Sequence, residues 1–417
     1  MLRLRWPMTV LLVAAAVPSA AAGLEWRHGD LKVKPAGYFQ GDLRAFPGWE
    51  VAEDTTGLRE DPRDIRRLRL GAEAELGDRL SGEVIFDANE LANAIIPPDD
   101  PGAAFALRRD LRNAYVELAL GKDHFLRGGH FKLPVSREFL TSAGKTDFAE
   151  RSLLAAGLAP GRDWGLMLGG EAKVARQVRY LVGAFAGDSW GEDTRGGPTA
   201  AARVVLEAVD GLELAASASI GSAEGDPEIT DPLDPTQIDP RAKSLRGRSA
   251  SGWSFFRRVH VDGARRRLGA DAQFSRGPFT VKAEVLHGHE ERSGQGSTFD
   301  DLPAVEGFGW SATAVWRVMG AKKKSGPPLD LAARYESLSF DDVGPDEGFA
   351  GTGSRARNIR PQSSTSMSGG VSYYPRKWVR LIGNVVLDRY NDELLAPEPG
   401  RKGTYVTLIA RLQVEIP

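Results

Sequence analysis

The chain has 417 residues, no cysteine, and 54 Lys plus Arg against 56 Asp plus Glu, for a formal charge of -2. Disulfides and thiolate metal sites are excluded, and the balance is not that of a nucleic-acid-binding protein. The 48 glycines and 25 prolines suit a chain with many turns, and stability must come from backbone pairing and side-chain burial.

At the N-terminus, Arg3 and Arg5 precede an apolar run from Met8 to Val17, then Pro18, Ser19 and small alanines. This predicts a secretory signal peptide over residues 1–22, cleaved after Ala22. Removing its two arginines leaves 52 basic against 56 acidic residues, a mature charge of -4. No later run approaches the roughly 18 apolar residues that a membrane-spanning helix needs.

Beyond residue 62, segments of alternating apolar and polar residues are separated by junctions that are short, then long, then short. Leu68, Leu70, Ala72, Ala74 and Leu76 interleave with Arg67, Arg69, Gly71, Glu73 and Glu75. Leu268, Ala270, Ala272 and Phe274 interleave with Arg267, Gly269, Asp271 and Gln273, and Leu329, Leu331, Ala333 and Tyr335 with Asp330, Ala332, Arg334 and Glu336. A period of two belongs to strands, one face apolar and one polar. Seven tight turns are predicted, at 77–79, 121–123, 175–176, 209–211, 276–277, 320–327 and 375–377. Eight longer segments fall at 47–62, 91–109, 134–161, 188–197, 223–264, 290–306, 342–364 and 392–401. Strict alternation connects about 16 strands, all-β, in a transmembrane antiparallel β-barrel wide enough to keep an aqueous channel. Length alone allows two or three soluble domains. The linker candidates, 223–252 and 342–364, each give way to resumed strand pattern, so 23–417 reads as one barrel domain.

The third long segment, 134–161, carries Phe139, Leu140, Phe148, Leu153, Leu154 and Leu158 among its charges. A solvated loop has no use for so many apolar groups, so it is expected to fold inward on the barrel wall and narrow the passage, a small helical lid packed on top of the barrel being the alternative. Lys132 just before it, and Arg137, Lys145, Arg151 and Arg162, become the candidate anion path, with the forked guanidinium matching a phosphate oxygen pair, while Glu138, Asp147, Glu150 and Asp163 share in setting the field there. The candidate pore wall carries Arg67, Arg69, Arg203, Arg267, Lys282 and Arg334, with Arg380 and Arg411 on the same inward face. It also carries Glu73, Glu75, Glu83, Asp87, Glu117, Glu207, Glu213, Asp271, Glu284 and Glu336, so the wall is mixed and many of its charges are expected to pair.

The stretch from Gly128, GGHFKLPVSREFLTSAGKTDFAERSLLAAGLAPGRDWG, resembles the strand, constriction loop and following strand of the phosphate-selective porin O and P family. Weaker echoes are RRLRLGAEAELGDRLSGEVIFDANE from Arg66, LRNAYVEL from Leu111, GADAQFSRGPFTVKAEV from Gly269, LAARYESLSFDD from Leu331 and GVSYYPRKWVRLIGNVV from Gly370. The resemblance implies a sixteen-stranded homotrimeric porin of the bacterial outer membrane, passing anions such as phosphate or polyphosphate. Such a protein meets outer-membrane lipid and lipopolysaccharide and depends on the barrel assembly machinery for insertion. In place of the terminal aromatic usual in such barrels stands Pro417.

His287 and His289, with Glu290 and Glu291 next, have the spacing for a metal site, but a polar strand end is the expectation. Asp99 with Asp100 and Asp300 with Asp301 read as solvated loops. GLAPGRDWG lacks the Lys and Ser or Thr of a phosphate-cradling loop, and no nucleophile elbow, zinc-protease helix or dinucleotide fingerprint appears. No metal and no cofactor is expected. The function expected is passive diffusion of small solutes through a water-filled channel, small inorganic or organic anions among them, with no enzymatic step. An outer-membrane barrel enzyme and a secreted soluble β-rich binding protein stand as the alternatives.

Overall fold

The computed structural model describes residues 25–49, 63–88, 111–173, 176–187, 196–224, 245–256, 259, 261–294, 300–320, 326–341, 362–393, 396–398 and 400–416. The strands are β1 (Trp26–His28), β2 (Leu31–Ala45), β3 (Arg63–Leu76), β4 (Leu80–Asp87), β5 (Leu111–Leu120) and β6 (His124–Lys132). Two short helices follow, α1 (Arg137–Leu140) and α2 (Leu153–Gly157). Then come β7 (Arg162–Lys173), β8 (Gln177–Phe185), β9 (Thr199–Val209), β10 (Leu212–Ala223), β11 (Gly247–Arg248) and β12 (Ser254–Phe256). The remaining strands are β13 (Gly263–Arg276), β14 (Phe279–Arg292), β15 (Leu302–Met319), β16 (Leu329–Asp341), β17 (Gln362–Arg376), β18 (Val379–Tyr390) and β19 (Tyr405–Glu415).

Sixteen of these, β2 to β10 and β13 to β19, pair antiparallel with their sequence neighbours, and β19 closes the ring on β2 from Leu408↔Ala45 to Glu415↔Tyr38. Closure leaves no unpaired edge, the condition for backbone polar groups to survive in hydrocarbon. The strand count and the alternation of turns with loops agree with the sequence pattern. Glycines at the tight turns, Gly77 and Gly277 among them, take φ near +60°, which a side chain resists.

The burial pattern is the reverse of a water-soluble sheet. Leu70, Leu268, Leu166 and Met367 are 44%, 59%, 61% and 57% exposed, while the alternating Arg69, Arg267 and Arg334 are nearly buried. Apolar groups thus line the outside and charges the inside, as expected where the outer solvent is lipid. Phe279 and Trp316 stack on the outer face beside the turn at 277–278, with centroids 5.8 Å apart, in the position of an interfacial aromatic belt.

The largest apolar cluster joins segment 133–161 to the wall and to the loop that carries β11 and β12. Val135, Leu153, Leu154 and Leu158 pack with Leu245, Phe255, Phe256, Leu286, Leu338 and Phe340, all below 5% exposure. Gly307 and Gly309 of β15 make the seat for α2, since a Cβ on Gly309 would lie 2.7 Å from Leu154 Cβ. Gly309→Val is therefore expected to displace α2 at a cost of about 1–3 kcal/mol. Limited proteolysis should then cut between residues 141 and 160 several-fold faster than in the wild type; an unchanged cleavage rate would contradict that seat.

Candidate functional site

Segment 133–161 is shaped by its own capping. Ser136 Oγ accepts from the Phe139 N–H at 3.1 Å to start α1, and Ser152 Oγ accepts from the Ala155 N–H at 3.4 Å to start α2. Ser136, at φ 70°, is the one non-glycine residue with positive φ among the described residues. From these short elements the segment bonds to strands far from β6 and β7, which it joins. Arg137 pairs with Asp271 (2.6 Å) and Glu213 (2.7 Å), and Asp147 with Lys282 (2.7 Å). The Leu153 N–H donates to Glu336 Oε2 at 2.7 Å, while Arg334 pairs with Glu138 at 3.2 Å. Arg380 donates to the Thr146 carbonyl at 2.7 Å, and Gln413 and Gln40 donate to the carbonyls of Gly144 (2.8 Å) and Ala143 (3.2 Å). Strands β2, β10, β13, β14, β16, β18 and β19 all contribute.

The densest electrostatic contact centres on Glu150. Its carboxylate lies 2.7 Å from Arg66, 2.8 Å from Arg44, 3.0 Å from Arg411 and 3.5 Å from Arg67. Burial raises the affinity of this carboxyl for a proton, but Arg66, Arg67, Arg411 and Arg44 together hold it well below the usual carboxylate range. The second carboxylate in the group is Asp42, which takes Arg411 at 2.6 Å and Arg44 at 3.1 Å. Among the described residues, four guanidinium groups face these two carboxylates. Arg66 and Arg67 are adjacent in sequence and would ordinarily face opposite ways. The register of β3 against β2 jumps from Gln40↔Arg67 to Gly41↔Ile65, so Arg66 is an extra residue in a bulge, and both guanidiniums reach the same carboxylate. Period-two reading had no means to find this.

The residues expected from sequence to carry anions are mostly engaged. Lys132 Nζ donates to the carbonyls of Phe139 (2.6 Å), Leu140 (3.0 Å) and Thr141 (3.0 Å), which close the end of α1. Arg151 is spent on the same turn, donating to the Thr141 and Glu138 carbonyls at 2.7 and 3.3 Å. Arg162 donates to Asn113 Oδ1 at 3.1 Å. Lys145 is exposed and makes no ion pair among the described residues. On the wall, Arg67 donates to Gln40, Arg69 pairs with Asp87 at 3.2 Å, and Arg203 with Asp271 at 2.6 Å. Arg267 holds Glu290 and the Leu158 carbonyl, and Arg334 lies against both Glu138 and Glu336. Arg44 and Arg66 were not singled out from the sequence, because nothing in their local pattern separates them from other strand-end charges; Glu150 was expected only as one of the segment's acidic members.

His287 and His289 share the outward face with exposed Val285, and both bond to Glu306, at 3.3 and 2.9 Å. Glu290 points to the other face, where it holds Arg265 and Arg267. No cluster of three or more metal-ligating side chains occurs among the described residues. Asp99 and Asp100 lie outside the described residues.

Comparison with solved structures returns outer-membrane barrels. The loop L8 deletion mutant of OmpT from Vibrio cholerae superposes with a TM-score of 0.55 at 11% identity, covering 93% of this chain and 99% of that one. An anion-selective porin from Comamonas acidovorans gives 0.54 at 12%, with 92% and 99% covered. Salmonella typhi OmpF in complex with daunomycin gives 0.56 at 11%, with 94% and 100% covered. At such identities the likeness establishes the fold alone. No curated protein matches the sequence. The family model for phosphate-selective porin O and P matches residues 33–416. A closed barrel, apolar outside and charged within, and a family match over nearly its whole length make this chain a member of the phosphate-selective porin O and P family, a channel of the bacterial outer membrane.

Proposed function

We propose that the channel is narrowed by segment 134–161 lying across the bore, and that the solutes passing it are small anions, phosphate and polyphosphate among them. The observation that carries this is the set of bonds from a segment joining β6 and β7 to side chains of β2, β13, β16, β18 and β19. Those strands belong to other parts of the closed ring, and the side chains alternate with the exposed apolar ones, so the connections run through the interior. Exposed Lys145 favours anions over cations at that level. Most of the remaining guanidiniums hold the segment in place, so selectivity falls to a few groups. Transport is by diffusion with no chemical step. Residues 1–22 serve as the export signal, outside the described residues, as is Pro417. The assembly is a homotrimer inserted by the barrel assembly machinery and surrounded by lipid and lipopolysaccharide; a related fold, V. cholerae OmpT, is described in a trimer form.

Planar-bilayer recording of the full mature chain tests this reading. Discrete conductance steps are expected, with a reversal potential on the anion side across a potassium chloride gradient, and Lys145→Gln should move that potential toward zero. A cation-side potential in the wild type would sink the anion reading. An absence of steps, with equal gel mobility before and after boiling, would sink the channel itself.

A further inference from the structure

We propose that the turn rim over β13 to β18 binds the headgroups of anionic phospholipid. The short turns of bacterial barrels face the periplasm, so this rim meets the phospholipid leaflet. The charge of its turns is uneven. Those joining β3 to β10 mix signs: Asp78 with Arg79, Lys122 with Asp123, then Arg176 and Asp210 on successive turns. Those joining β13 to β14, β15 to β16 and β17 to β18 hold Arg276, Lys322, Lys323, Lys324, Arg376 and Lys377, and no carboxylate. Lys322 to Lys324 lie outside the described residues, and the described cations suffice without them.

The acids of the neighbouring strand ends are engaged elsewhere. Arg317 takes Asp330 at 2.7 and 2.9 Å, and Glu415 accepts from Gln413 Nε2 at 2.8 Å on the inner face. Asp210 is the turn acid beside Arg276, since the Ser275 N–H donates to the Gly211 carbonyl at 2.8 Å. Setting Asp210 against Arg276 still leaves Arg376 and Lys377 unmatched. Both are exposed, and neither forms an ion pair among the described residues.

These cations border an apolar band on the outer face. Arg376 is the register partner of Val379, which alternates with exposed Leu381, so its side chain leaves from the outer side. Arg276 likewise pairs with exposed Phe279. Between them Phe279 stacks on Trp316 at 5.8 Å, Trp316 pairs with Leu331, and Leu329 pairs with Tyr373. A belt of rings at the membrane surface, edged by cations on the water side, suits a lipid phosphate. Between the last two turns a cleft of about 460 Å³, edged by Arg376 and Lys377 and with no carboxylate in its lining, gives a headgroup room. The exposed apolar residues flanking the mixed-sign turns are Leu76, Leu80, Leu120 and Val209, none of them aromatic. A soluble acidic protein would use the charges but has no use for the rings, which lie at the depth of lipid.

The test reconstitutes the full mature chain in phosphatidylcholine vesicles carrying either brominated phosphatidylglycerol or brominated phosphatidylcholine. Quenching of Trp316 is read as the wild-type signal minus that of Trp316→Phe. At low salt phosphatidylglycerol is expected around Trp316 at about fivefold its bulk share, the effect of one cation near a membrane surface. Arg376→Gln combined with Lys377→Gln should bring that ratio to about one, as should roughly 0.5 M salt. Arg79→Gln combined with Lys122→Gln, on mixed-sign turns, should leave it unchanged. Equal quenching by the two lipids in the wild type would overturn the proposal and leave the basic rim to a soluble acidic protein. A preference that survives in a folded Arg376 and Lys377 variant, or that the Arg79 and Lys122 variant loses as well, would also overturn it. Should the first variant lack the gel mobility of a folded barrel, the wild-type salt series decides, and a salt-insensitive preference counts against the site. None of these outcomes depends on which solutes pass the channel.

Discussion

Glu150→Gln is expected to raise the anion-over-cation permeability ratio roughly tenfold. The substitution keeps the shape of the side chain and removes one negative charge from among Arg44, Arg66, Arg67 and Arg411. A unit charge about 5 Å from a permeating ion, in a medium between protein and water, is worth about 1.5 kcal/mol. The wild-type response to pH follows from the direction of the shift. Because the folded pKa of Glu150 is depressed, the stabilisation from its ion pairs is fully present above the unfolded value of about 4.3 and is lost only as pH falls through the lower folded value. Glu150 itself should therefore contribute no change of reversal potential between pH 7 and about pH 5, and the variant should keep its higher anion preference across that range. An anion preference equal to wild type would mean that permeating ions do not pass near Glu150.

Arg411→Met should give the largest loss of stability of any single change near the segment, about 3 kcal/mol. Arg411 is fully buried, pairs with Asp42 at 2.6 Å and with Glu150 at 3.0 Å, and also donates to the Ala149 carbonyl. Taking away one partner of a buried ion pair strands the other in a medium that solvates it poorly. Arg44 remains near both carboxylates, which keeps the loss at the lower end of the usual range. The measurement is the urea midpoint of the folded-barrel gel band, with noisier open-channel current as the segment loosens. Arg317→Gln is the comparison: its pair with Asp330, at 2.7 Å, is 46% exposed on the arginine side and should contribute under about 1 kcal/mol. If the two variants unfold together, Arg411 does not anchor the segment.

The barrel was legible because its cause is local. Each strand must present an apolar face to lipid and a polar face to the interior, so the period of two is written into every segment, and the junctions sort into turns and loops by length alone. The unusual apolar content of 134–161 likewise marked that segment before any contact was known. The particular charges at the site were not legible to the same degree. Lys132 and Arg151 sit where a narrowing segment would hold them, but they close the end of α1. Only the folded chain shows which carbonyls lacked a donor.

What the sequence determined by itself is the closed, lipid-facing cylinder with about sixteen strands, since hydrophobic alternation and turn spacing need no partner to be read. What the tertiary structure decided is which charges remain to meet a solute. The pairing of Glu150 with arginines from β2, β3 and β19 depends on ring closure and on a one-residue bulge at Arg66. Coulomb energy falls with distance between groups that may lie hundreds of residues apart, so its pattern exists only once the strands are placed.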